Sequence, residues 1–196
     1  GKFVGKQDNV IDDSGTHFIN LLNPITTRDN LRQGASDILV LAKSLSNLKL
    51  TNLSGQPIKV NGSQVRYASI SLGSIVGTVA LGADKSASLI GAASLSVGSG
   101  GLPKLLDGSK SYGPIITAGL AGSGVLEGSD GFESFMRLAQ TLTDSGDPIN
   151  FAMNARYKKP DNTYNRPVHF TQVLNDLVVP NASVKGSTSA TQDFVG

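Results

Sequence analysis

The stretch VRYASISLGSIVGTVALG, residues 65–82, constrains the fold more than any other part of the chain. Val65 to Ile70 alternates as a short strand. Ser71 follows on a turn, and a run of small and apolar residues then reads as a helix from Ile75 onward. A serine held on a sharp strand-to-helix turn is the geometry of a nucleophile elbow, G-x-S-x-G. Here the pattern is Ser69-Ile70-Ser71-Leu72-Gly73, with serine in place of the first glycine. Ser71 is therefore the candidate nucleophile, and the backbone amide of Leu72 the candidate oxyanion donor. Gly73, Ser74 and Gly77 are small enough to let the helix approach the strand closely.

An alcohol needs a base to take its proton and an acid to orient that base. In this arrangement the order along the chain is Ser, acid, His. Asp176 follows the alternating, β-branched strand read from Val168 to Leu174, where an orienting acid belongs; a helix is expected to start near Pro180. Asp144 and Asp147 are alternatives downstream of the second strand, and Asp147-Pro148 also reads as a helix cap. The only histidines are His17, before the nucleophile, and His169, within the last strand. Neither follows the acid, so the sequence supplies a nucleophile and an acid without a base.

Around this centre the chain reads as α/β. A helix is expected from Thr26 or Thr27, with Asp29 in its first turn and an apolar stripe of Leu31, Ala35, Ile38, Ala42 and Leu45. TNLSGQPIKVNGSQ reads as a turn-rich connector. The first half of residues 86–101 reads as a second buried parallel strand. Residues 102–158 read as a helical insertion, with a helix started by Gly113-Pro114 and another capped by Ser129 or Asp130. Phe132, Phe135, Met136 and Ala139 share one face of it, suited to the core or to a lid over an acyl pocket.

Composition removes several alternatives. Seventeen basic against fifteen acidic residues, without a basic cluster, give no electrostatic case for nucleic acid or an anionic membrane surface. The absence of cysteine excludes disulfides, thiol catalysis and cysteine-bound zinc. Asp8, Asn9, Asp12 and Asp13 lack EF-hand spacing and read as solvated turns, and the glycine run near residue 100 lacks a phosphate-loop order. No metal or cofactor is expected. No apolar stretch reaches membrane-spanning length. No signal peptide opens the chain, so a leader is expected to have been removed or to lie upstream.

Several longer motifs occur in a fixed order: SGTHFINL (14–21), TTRDNLRQGASDIL (26–39), SLGSIVGT (71–78), GGLPKLLDG (100–108), QTLTDSGDPINFA (140–152) and DLVVPN (176–181). Through these the chain resembles the secreted and cell-surface virulence-factor lipases of Gram-negative bacteria. That family's elbow usually reads G-H-S-L-G-G, against Ser69-Ile70-Ser71-Leu72-Gly73-Ser74 here. The resemblance implies an α/β-hydrolase with a mostly parallel sheet, flanking helices and a helical lid over 102–158. It also implies a serine lipase or esterase acting on fatty-acyl esters, secreted or at the cell surface, touching lipid interfaces.

It further implies that the family's early strands and catalytic histidine lie outside residues 1–196. The chain is then one partial catalytic domain of a longer enzyme, with a second segment or chain completing the sheet. The alternative from a different class is a non-catalytic, lipase-like protein that retains a lipid-binding groove.

Overall fold

The computed structural model describes residues 18–20 and 23–181. Among these the fold is mixed α/β, built around a three-stranded parallel sheet and a small antiparallel hairpin. No described helix is long and apolar enough to cross a membrane.

Helix α1 (Pro24–Ser44) starts earlier than the threonines suggest. Pro24 occupies the first turn, where its missing N–H costs nothing, and the Asn23 side chain accepts from the Thr26 amide. Asp29 consequently lies beyond the first turn, not within it. Leu31, Ala35 and Ala42 of the expected stripe are buried. The connector that follows is a hairpin, β1 (Leu50–Thr51) paired antiparallel with β2 (Pro57–Ile58). Asn52 organises its turn by accepting from the Ser54 and Gln56 amides.

Strand β3 (Arg66–Ile70) leads through Ser71 directly into helix α2 (Leu72–Ala83), and β4 (Ala92–Ser96) lies parallel beside β3. β4 begins later than expected, because residues 86–91 wrap around the carboxylate of Asp84. That group accepts from the amides of Ser88, Leu89 and Ile90. Helices α3 (Leu102–Gly108), α4 (Gly113–Ala121), α5 (Asp130–Thr143) and α6 (Ala152–Ala155) follow. The Ser129 side chain caps α5 by accepting from the Phe132 amide.

Strand β5 (Val168–Thr171), shorter than its alternation suggests, pairs parallel with β4 and gives the order β3-β4-β5. No helix starts at Pro180 within the described residues.

Helix α2 is apolar on every side and buried from Ser74 to Gly82, as a helix enclosed by its neighbours must be. One core cluster joins Leu31 and Ala35 of α1, Ile75, Val76, Val79 and Ala80 of α2, and Leu102 and Leu105 of α3. A second joins Ala42 and Leu81 to Ala93 and Leu95 of β4 and Ala155 of α6. Gly77 lies against the Tyr67 ring of β3, and a Cβ at Gly82 would lie 2.6 Å from Phe151 Cβ. Below α2, the buried Arg166 guanidinium meets Asp84 Oδ2 at 3.2 Å and donates to the Ile90 and Leu81 carbonyls, joining the helix end to the starts of β4 and β5.

The helices cover one face of the sheet. On the other, Arg66, Ala68, Ile70, His169 and Thr171 are exposed, Ile70 by 70%. Among the described residues β3 is also an edge strand. A parallel sheet normally has both faces covered, whereas among the described residues the helices cover one face of this one.

A methyl group at Gly77 would overlap the Tyr67 ring. Gly77→Ala is therefore expected to lower unfolding stability by about 1–3 kcal/mol, despite alanine's better helix propensity, in urea titrations.

Candidate functional site

Ser71 stands at φ 52°, ψ −123°, a positive-φ conformation that L-residues rarely adopt and that costs about 1–3 kcal/mol. The turn is forced by its neighbours. The Ser71 amide donates to the Ser96 carbonyl at 2.9 Å, as the last rung between β3 and β4. The Ser71 carbonyl already accepts from the Ser74 and Ile75 amides at 2.8 and 3.1 Å, as the first turn of α2. The residue thus belongs to strand and helix at once.

Ser71 occupies the N-cap position, yet its side chain makes no capping bond. A capping serine ordinarily has an extended backbone and turns its hydroxyl onto the second or third helical amide. Here the positive φ turns it away. The amides of Leu72 and Gly73, first in the helix, have no intrahelical acceptor, and they begin where the Ser71 hydroxyl sits. A hydroxyl beside a helix N-terminus can place a nascent oxyanion on such amides.

Beneath the turn is a set of short polar contacts. Ser69 Oγ lies 3.0 Å from Ser74 Oγ, Ser74 Oγ donates to the Ser96 carbonyl at 2.8 Å, and the Tyr67 hydroxyl donates to the Gly73 carbonyl at 2.7 Å. Burial pushes the Tyr67 phenol above its ordinary value, opposed by the neighbouring Ser69 hydroxyl.

Ser71 and Leu72 line a cavity of about 410 Å³ whose other walls include Ile75, Leu105, Tyr112, Val178 and Val179. An apolar cavity of about 290 Å³ adjoins it, lined by Ile115, Ile116, Leu120, Phe135 and Met136 among others. The two share Ile19, Thr27, Leu102 and Leu106 as walls. Phe135 and Met136, from the face read in the sequence as core or lid, line the second cavity.

Asp176 lies in the loop after β5. Its Oδ1 accepts from the Val178 and Val179 amides at 2.8 and 3.0 Å, so the same carboxylate shapes the loop that carries both valines to the Ser71 cavity. Asp147 has a different setting. It is fully buried and accepts from the amides of Gly101, Leu102 and Ile149 at 2.7–3.0 Å, and from Gln140 Nε2 at 3.0 Å. This carboxylate caps α3 from 45 residues away and also caps its own turn. Its oxygens are occupied by structural donors. Asp144 accepts from Gln140 and Asn150 side chains at the surface.

His169 sits on the exposed face of the sheet in register with Ser94, with Nδ1 3.2 Å from Ser94 Oγ. Ser71 lies past the strand ends, beyond Ile70 and Ser96. The fold therefore does not bring His169 to Ser71. His17 and the acidic cluster at 8–13 lie outside the described residues. Among the described residues, no group of three or more His, Asp or Glu side chains is arranged to hold a metal.

Sequence reading did not find the Ser69–Ser74 contact or the remote capping of α3. The first had a signal in the serines at 69 and 74 on either side of the Ser71 turn; the second had none beyond the cap reading of Asp147. Compared with known proteins, the chain matches no family model, no curated protein and no solved structure.

Two measurements test these assignments. Asp147→Ala is expected to lose about 3 kcal/mol or more of unfolding stability, because it strands several buried donors, and Asp176→Ala only about 1 kcal/mol. The raised pKa of Tyr67 gives a pH dependence of definite sign. Its contribution is fully present below the unfolded phenol's value near 10 and is lost as pH rises from there toward the folded pKa. Tyr67→Phe should flatten that alkaline loss in thermal unfolding curves collected between pH 8 and 11.

Proposed function

We propose that this chain carries the nucleophile and acid of a carboxylic-ester hydrolase of the α/β-hydrolase type, acting on lipid or fatty-acyl esters. The observation that carries the reading is Ser71: a serine at positive φ between a parallel strand and a buried helix, with a hydroxyl that caps nothing. Its place beside an apolar cavity supports an acyl substrate, and the helical segment 102–158 supplies much of that cavity's wall.

In this reading Ser71 Oγ attacks the ester carbonyl while an imidazole takes its proton. The negative charge developing on the carbonyl oxygen is received by the Leu72 amide. The alcohol leaves with the proton, and water then releases the fatty acid by the same steps. Asp176 orients the imidazole. The loop between β5 and the Ser71 cavity is the feature that favours it over Asp147, whose oxygens are taken by buried donors.

The base comes from a further segment or chain, which also supplies strands beside β3. The open edge of β3 and the uncovered sheet face favour that part of the reading. A secreted or cell-surface location and contact with lipid interfaces belong to the same proposal.

A second reading is a non-catalytic lipid-binding relative. It is favoured by the fact that His169, the imidazole among the described residues, is engaged at Ser94.

Hydrolysis of p-nitrophenyl butyrate and octanoate, with fluorophosphonate labelling followed by peptide mass spectrometry, separates the two. The expected result is a label on Ser71 and a loss of at least about 10³-fold in kcat/KM for Ser71→Ala. Asp176→Asn should reduce turnover more than Asp147→Asn does after correction for folded protein. Absence of both turnover and label from the protein with its flanking segments would leave the binding reading.

A further inference from the structure

Ser69 and Ser74 stand on either side of the Ser71 turn, and their side chains touch: the hydroxyl oxygens are 3.0 Å apart. The direction of the bond is fixed by counting protons. Ser74 Oγ gives its single proton to the Ser96 carbonyl, so it accepts from Ser69. The Ser96 carbonyl also accepts the Ser71 amide at 2.9 Å, using its second lone pair. Ser69, Ser74 and Ser71 are thereby tied to one oxygen at the end of β4.

Each serine also faces a glycine that makes room for it. A Cβ at Gly73 would lie 3.2 Å from Ser69 Cβ, and a Cβ at Gly98 would lie 2.8 Å from Ser74 Cβ. The added side chains therefore sit in space left by glycines on the adjoining backbone. Ser74 is fully buried, so its hydroxyl has no water to turn to if a partner is removed.

We propose that Ser69 and Ser74 act together as a hydroxyl latch that holds Ser71 in its strained turn, through the shared Ser96 carbonyl. Neither serine touches substrate; both are positioning residues. Their catalytic meaning rests on the esterase reading of Ser71, whereas the latch itself is a property of the turn.

Amide hydrogen exchange followed by NMR tests the latch without reference to catalysis. Ser74→Ala should speed exchange of the Ser71 amide by about tenfold, while the core amides of Leu81 and Leu95 keep their protection. Ser69→Ala should act in the same direction, and the double variant should exchange no faster than Ser74→Ala alone. Ser69→Thr, which keeps the hydroxyl on a strand that suits β-branched residues, should retain protection.

In the hydrolysis assay the same alanine variants should lower kcat with KM little changed. Unchanged Ser71 exchange in both single variants overturns the latch. So do additive effects in the double variant, or a uniform rise in exchange across the core. Should Ser74→Ala fail to fold, the half-buried Ser69 position still decides through its Ala and Thr variants. A wild-type protein that shows the coupled exchange but neither turnover nor label overturns the esterase reading and leaves the latch standing.

Discussion

The burial of α2 is the constraint on which the remaining architecture depends. A helix buried without interruption from Ser74 to Gly82 must have small residues wherever a neighbour comes close, and must be contacted by apolar groups elsewhere. Gly77 admits β3 and Gly82 admits Phe151, while Ile75, Val76 and Val79 fill the space toward α1 and α3. Because the helix is fixed on all sides, its first residue is fixed as well. The residue before it, Ser71, inherits a position set by the packing of the helix and the last rung of the strand.

Two buried carboxylates secure the ends of this arrangement. Asp84 gathers the amides of the 88–90 turn and meets Arg166, so that the far end of α2 and the beginnings of β4 and β5 share one polar centre. Asp147 gathers amides from the start of α3 and from its own turn, fixing the helical segment to the loop after β4. Each replaces water around a buried charge with several oriented N–H donors, the condition under which a charge is tolerated in a protein interior. Between them they leave the Ser71 end of the sheet open to a cavity.

The elements that were legible in the sequence are those governed by local physics. The stripe of α1, the Ser129 cap and the strand-turn-helix at Ser71 follow from periodicity, capping chemistry and small-residue packing, all within a few positions. What was hidden depended on which backbone amides a particular side chain gathers, whether near in sequence or far. The late start of β4 comes from the Asp84 carboxylate holding residues 88–90 in a turn. The role of Asp147 comes from amides 45 and 46 residues away. The connector at 50–58 is long enough to turn twice or to pair with itself, and Asn52 chooses the hairpin. At the candidate site, sequence pointed to Ser71 as candidate nucleophile and Asp176 as candidate acid. The mutual contact of Ser69 and Ser74 needed the three-dimensional crossing of strand and helix.

Ser71 is a position at which the backbone conformation and the side chain call for different residues. Its backbone conformation is one that glycine adopts freely, and its hydroxyl returns no capping bond to offset the strain. Alanine at 71 removes the hydroxyl and keeps the strain; glycine removes both. The difference in unfolding free energy between those two variants would measure the backbone tension at residue 71, separately from anything its hydroxyl does. A chain optimised for thermal endurance alone would drift toward glycine there, so the serine marks where a hydroxyl is kept at the expense of backbone ease.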